Sequence, residues 1–218
     1  LTLSLISKEN SSIKNIFRRR ISNLDNTFGM FTVNAVLKEG RVPYLNRNIF
    51  INKTPETVWN KNEVRESHAD RSLMICFQVP ENGSAHTRNL DILMPMYWEE
   101  VSKWKETKLF RRGEDYEEFK AKAAEICIKR AEEVVPELKG NIERIYTSTP
   151  LTYRDYTGTI NGSAYGIRKD FARAMLTVLS PATPLQNLFF SGQNLNLHGI
   201  LGVSMTAIMT SEMVMRKM

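Results

Sequence analysis

The segment Leu188-Phe189-Phe190-Ser191-Gly192-Gln193-Asn194-Leu195-Asn196-Leu197-His198-Gly199-Ile200-Leu201-Gly202-Val203 carries more chemical information than the rest of the chain. Leu188, Phe189 and Phe190 read as a short buried strand. Gly192 at its end allows close backbone approach, or a positive φ that other residues resist. The glycine-and-amide loop then opens an amphipathic helix expected to begin around His198-Gly199-Ile200-Leu201 and to continue to Met218. The first amides of such a helix have no helical partner and carry partial positive charge, which suits an oxygen bearing negative charge. Within the helix, Gly199, Gly202, Thr206 and Thr210 are small or narrow at spacings of three and four. That seam admits tight packing beside a strand or a flat ring. A plain strand-loop-helix turn would use the same glycines, so the pattern alone leaves both readings open.

No Gly-x-Gly-x-x-Gly follows any strand candidate, so nothing here grips the ADP end of a dinucleotide. The expectation is therefore a C-terminal piece of a larger enzyme, and an internal starting point is the simpler account of a chain that opens on Leu1. Leu1-Thr2-Leu3-Ser4-Leu5-Ile6 is too short for a signal peptide and lacks its charged start. Cys76 and Cys127 have no second Cys or His at ligand spacing, and His68, His86 and His198 are scattered, so no metal site is expected. The two thiols read as buried and reduced. No Ser-His-Asp set or paired carboxylate is present to name a catalytic residue. His198 reads either as a general acid or base, or as a helix-start histidine that orients its own loop.

The 218 residues carry a formal charge of +6. The densest basic cluster, Arg18-Arg19-Arg20, lies in a segment that, as a helix, sets Ile13, Ile16, Phe17 and Arg20 or Ile21 along one side. This reads first as a surface helix and second as a contact for anionic membrane. No zinc finger, aromatic RNA-binding signature or helix-turn-helix pattern accompanies it, so nucleic acid is not an expected partner. No apolar run approaches the roughly 20 residues needed to cross a bilayer.

Strands are expected over Phe28 to Leu37, Asn48 to Asn52, Ser72 to Val79, Asn89 to Met94 (stopped by Pro95) and Ile142 to Thr147. The near-continuous apolar run from Ser72 to Val79 predicts a strand covered on both faces. From Glu114 to Val134, Tyr116, Phe119, Ala123, Ile126, Cys127, Arg130 and Val134 recur at helical spacing, closed by Pro136. Without regular β-α alternation, the expected class is α+β: a mixed, largely antiparallel sheet covered by helices, plus a C-terminal strand-helix piece.

The C-terminal segment resembles the flavin-binding ending of phytoene-desaturase-like flavoproteins, nearest the retinol-saturase and carotenoid-isomerase branch. The carrying residues are Phe190-Ser191-Gly192-Gln193, Asn196-Leu197-His198-Gly199 and Leu201-Gly202-Val203. Upstream, Thr149-Pro150-Leu151-Thr152-Tyr153-Arg154-Asp155-Tyr156 and Gly162-Ser163-Ala164-Tyr165-Gly166 also look familiar, so the likeness covers roughly Thr149 to Ala207. It implies a substrate domain over residues 1–148 and the end of an FAD-binding domain over 149–218, with the N-terminal dinucleotide-binding half absent. It also implies an FAD contact set of Gly192, Gln193, Asn194, His198, Gly199, Ile200, Leu201 and Gly202. Gly192 and Gln193 would pass along the ribityl-pyrophosphate, and the amides of Gly199, Ile200 and Leu201 would face the pyrimidine edge. Many members of the wider class carry an acidic residue where this chain has Gln193, so the ribityl hydroxyls would meet an amide.

Tyr153, Tyr156 and Tyr165 would be aromatic walls for a flat apolar substrate, although they also fit as ordinary core tyrosines. Met74, Met94 and Met96 suit either an adaptable lipid cavity or common core filling. The implied activity is FAD-dependent oxidoreduction at a carbon-carbon bond of a carotenoid, retinoid or other isoprenoid. The implied setting is the cytoplasm, with peripheral membrane contact open. A flavoprotein acting on an amine or another lipid, and a non-enzymatic basic module, are the other classes.

Overall fold

The computed structural model describes residues 6–7, 9–55 and 67–216. The expected helix end at Met218 and the opening residues 1–5 lie outside these. Five strands, β1 (Gly29–Leu37), β2 (Ile49–Ile51), β3 (Leu73–Phe77), β4 (Asn89–Met96) and β5 (Ile142–Ser148), form one sheet in the order β2-β3-β4-β1-β5. Every pairing among them is antiparallel. With helices against the sheet, this is the α+β class expected from sequence.

Alternation along the strands sets the core. Phe31, Val33, Ala35 and Leu37 of β1, Leu73 and Ile75 of β3, and Leu90, Ile92, Met94 and Met96 of β4 are all buried on one face. They form a single cluster with Tyr116, Ala123, Ala124, Cys127 and Ala131 of helix α3 (Glu114–Val134). Each large apolar side chain removed from water contributes about 1.5–3 kcal/mol, so this sheet-helix layer dominates the stability of the fold. Helix α3 spans the predicted residues, and Glu114, Asp115 and Glu117 in its first turn complement the positive helix end. Its apolar stripe ends on Ala131 and Val135, not on Val134, which is 46% exposed.

Several local expectations are corrected. β3 is not covered on both faces: Leu73, Ile75 and Phe77 are buried while Met74 and Cys76 are half-buried. A near-continuous apolar run hid an alternating strand. β4 does not stop at Pro95, which pairs with Met30, and the strand runs on to Met96. Helix α1 (Asn15–Ser22) starts later than predicted: Ile13 is buried ahead of it and Ile16 is 76% exposed. Phe17 stacks on Phe190, with ring centroids 6.5 Å apart. Helices α2 (Trp98–Val101) and α4 (Pro150–Thr157) were not anticipated. In α4, Thr149 caps the N-terminus and Pro150 occupies the first turn, where its missing N–H costs nothing.

The C-terminal segment departs most. Leu188, Phe189 and Phe190 do not form a buried strand; they are half-buried, and Phe189 forms an isolated bridge with Ala182. A strand needs a ladder partner, and no strand among the described residues lies beside this one. After a short helix α5 (Ala174–Thr177), helix α6 (Gly199–Met215) is not amphipathic. Ile200, Leu201, Val203, Met205, Ile208, Met209 and Met215 are all exposed, and only Gly202 and Thr206 are buried.

Candidate functional site

The two upstream stretches of the resemblance, 149–156 and 162–166, are brought together at the start of β1. Ala164 donates its amide to the Phe28 carbonyl at 3.0 Å, and Thr27 donates its amide to the Gly166 carbonyl at 2.7 Å. Gly162, at φ +63°, packs so closely on Pro150 that a Cβ would land on the Pro150 carbonyl. Gly29 meets the other side of the same proline: its Cβ would stand 2.6 Å from Pro150 Cγ. The chain can make this junction only with glycine at both positions.

Asn194 links the second block to the terminal loop. Its Oδ1 accepts the Ile167 amide at 2.8 Å. Gly166, at φ +75°, leaves the space that this side chain fills. Lys169 clamps the same loop by donating Nζ to the carbonyls of Thr177 (2.8 Å), Asn194 (2.7 Å) and Leu195 (3.2 Å). Burial without a carboxylate partner lowers its pKa to about 8.

His198 stacks on Tyr165, with centroids 5.6 Å apart and planes 22° from parallel. Its Nε2 meets the Ile167 carbonyl at 2.7 Å. A carbonyl can only accept, so Nε2 carries the proton and only Nδ1 remains to take one. The side chain therefore orients a neighbouring loop as well as its own.

At the start of α6 no side chain caps the first amides, because His198 points elsewhere. Gly192 (φ +105°) and Gly199 (φ +76°) have no heavy atom within 4 Å of where a Cβ would stand. Gly202 is the opposite case, since a Cβ there would strike the Leu197 carbonyl. The small-residue seam continues through Thr206, which is buried, to Thr210, whose hydroxyl donates to the Phe190 carbonyl at 3.1 Å. Thus Gly166 and Gly202 lock the turn from inside, while Gly192 and Gly199 leave its outer side open. Asn194, Leu197, Gly199, Ile200 and Leu201 are exposed there, and Gln193 is half-buried. The turn lies at the surface, with room for a ligand to approach the main chain.

Of the three tyrosines, only Tyr165 reaches this turn. Tyr153 lies on α4 with its hydroxyl 3.0 Å from Thr32 Oγ1, over the sheet, and Tyr156 is 67% exposed. The same upstream block contributes a residue that sequence reasoning missed. Asp155 pairs with Arg112, whose side chain is 3% exposed and which also donates to the Trp104 and Thr107 carbonyls. Cys127 is buried as expected but Cys76 is only half-buried; burial pushes the Cys127 thiol up to about 12 and also raises Cys76, with Asp91 adding to the latter. Among the described residues, no group of His, Cys, Asp or Glu could hold a metal ion. In the basic segment, Arg18 donates to the Ile6 and Ser7 carbonyls and Arg20 to those of Met175 and Val178, so two of its three arginines hold the chain itself. No helix among the described residues is long and apolar enough to cross a membrane.

The proteins similar to this chain are of the retinol saturase-like kind, matching at low identity over part of its length, and they show the resemblance read from the glycine-amide segment. They are all-trans-retinol 13,14-reductases. The Rattus norvegicus protein is 28% identical over 131 residues, which is 59% of this chain and 22% of that protein. The Homo sapiens protein is 27% identical over 163 residues, 70% of this chain and 27% of its own length. The Danio rerio protein is 27% identical over 124 residues, 55% of this chain and 20% of its own length. The matches thus span between 20% and 27% of these relatives. No family model matches the chain.

Proposed function

We propose that this chain is the C-terminal part of an FAD-dependent oxidoreductase that acts on a carbon-carbon bond of a retinoid or related long isoprenoid. The observation that carries this reading is an open glycine-amide turn ahead of an uncapped helix, in a chain whose relatives are retinol reductases. When bound, FAD supplies hydride exchange with the substrate bond. The residues of the turn fit that group: Gly192 and Gln193 would border the ribityl-pyrophosphate, and Asn194 and Gly202 hold the loop in shape. The amides of Gly199, Ile200 and Leu201 offer partial positive charge toward the pyrimidine edge, where reduction places negative charge. His198 and Tyr165 form an aromatic pair beside it.

The apolar surface of α6 supports a second component, an N-terminal dinucleotide-binding half that covers the helix and grips the rest of the cofactor. An apolar substrate that partitions into membranes supports peripheral contact with a membrane surface.

The test is expression of the chain with and without its upstream coding sequence, followed by flavin absorbance and product mass with all-trans-retinol. The longer protein should purify yellow and change the substrate by two hydrogens, while the chain alone should bind FAD weakly or not at all. A longer protein free of flavin would sink the proposal. Turnover of an amine or another lipid in place of retinol would move it to a different flavoprotein class.

A further inference from the structure

The positive charge of the chain is gathered in one place. Residues 14–25 and 168–178 hold seven lysines and arginines against two aspartates, so they account for nearly all of the formal +6. The two segments meet, because Arg20 of α1 donates to the carbonyl of Met175 in α5 and to that of Val178 just after it. Ile16 stands three and four residues before Arg19 and Arg20, so the three share one side of α1. Both aspartates are engaged: Asp25 pairs with Arg168, and Asp170 pairs with Arg173 while accepting the Ala172 amide. Lys14 and Arg19 belong to neither pair and are exposed.

The apolar part of this surface is a protrusion. Every residue of Phe171-Ala172-Arg173-Ala174-Met175-Leu176 is exposed, Phe171 at 90% and Met175 at 83%. The segment is nevertheless tied at both ends: Asp170 caps its first turn, and Arg20 and Lys169 hold carbonyls of its last. An ordered turn thus keeps apolar side chains in water, which is unfavourable until an apolar medium takes them up. Helix α6 also exposes apolar residues, but from Gly199 to Thr210 it carries no charge. An uncharged flank suits a protein cover. An apolar tip set among excess cations suits an anionic lipid interface, where headgroups neutralise the cations and acyl chains receive the tip.

We propose that Phe171 and Met175, flanked by Lys14, Ile16 and Arg19, dock on the surface of an anionic phospholipid membrane. This rests on the membrane contact proposed above and adds the residues that make it. Lys169 spans from Thr177, at the end of the protruding turn, to Asn194 and Leu195 in the glycine-amide loop. Docking therefore holds that loop close to the lipid in which an isoprenoid dissolves.

The experiment is co-sedimentation of the chain with vesicles of phosphatidylcholine alone and of phosphatidylcholine mixed with phosphatidylserine. The natural chain should bind the mixed vesicles, and added salt should weaken that binding. Lys14→Gln with Arg19→Gln should lower the affinity about twentyfold, at about fivefold for each cation near an anionic surface. Phe171→Ala with Met175→Ala should lower it about tenfold or more by removing the inserted side chains. Ile208→Ser on α6 should leave it unchanged, which separates the two apolar surfaces. Circular dichroism melting checks folding, and where a double substitution unfolds its single substitutions are used. Vesicle binding that neither pair changes would overturn this surface and leave membrane contact standing. Loss from the charge pair alone would mark a general attractor of polyanions and overturn the docking. A chain that binds neither vesicle would overturn the membrane contact itself, while flavin in the longer protein still decides the oxidoreductase reading. A longer protein that fails to bind where this chain does would assign the surface to the N-terminal half instead.

Discussion

His198 lies flat on Tyr165 and at the same time donates Nε2–H to the Ile167 carbonyl, so one side chain joins the start of α6 to the block that opens β1. Replacing it with alanine removes a ring stack and a hydrogen bond and leaves the carbonyl without its donor. The expected loss is about 1–3 kcal/mol in urea unfolding. His198→Gln, whose amide can still donate, should recover part of it. Equal losses in the two variants would show that the hydrogen bond contributes nothing.

Arg112 is buried while its partner Asp155 reaches solvent, and removing the carboxylate strands the buried charge. Asp155→Ala should cost about 1–3 kcal/mol, because the buried Arg112 guanidinium loses its carboxylate and keeps carbonyl and hydroxyl hydrogen bonds and the Tyr116 ring. The double variant Arg112→Met with Asp155→Leu should be less destabilised than Asp155→Ala alone. Equilibrium denaturation of the three proteins measures both effects.

Glu100 carries an acid-sensitive contribution. Burial raises its pKa, but hydrogen bonds from His68 at 2.6 Å, Arg71 at 2.8 Å and the Tyr97 amide at 2.7 Å outweigh that and hold it at about 2. A folded-state pKa below the ordinary 4.5 means that the stabilisation is complete above that value and is lost as pH falls toward about 2. The stability difference between the natural chain and Glu100→Gln should therefore shrink across that interval. A difference that stays constant would contradict the assignment.

Lys169 has the opposite dependence. Its ammonium is lowered to about 8 from 10.5 by burial among carbonyls, so the unfolded chain holds more protons between those values. Its contribution to stability should rise with pH through that window. The rise should vanish in Lys169→Gln, measured as denaturation midpoints over the same range.

Strand β1 and helix α3 were legible because alternation and helical spacing record which face meets the core, and β2 and β5 because of their β-branched and aromatic content. Helix α4 was not, although Thr149-Pro150 is a helix-start signal, because β5 ends at Ser148, immediately ahead of it, and eight residues are too few to show a helical period. The Gly202–Thr206–Thr210 seam was visible as small residues at helical spacing. The exposure of α6 was not, since an apolar helix has the same sequence whether its cover is present or missing. Leu188 to Phe190 has strand-like composition, but composition does not supply a ladder partner. The meeting of Tyr165 with His198 depends on Asn194 and Lys169 gripping backbone groups of an irregular loop. Such contacts leave no periodic trace.

The close seat of Gly202 on the Leu197 carbonyl makes the turn and the helix one mechanical unit. Any surface that shields the flank of α6 must then also fix the aim of its leading amides. Shielding and ligand capture become thermodynamically linked: each should tighten the other by the same factor, although the two events occur on different sides of the helix.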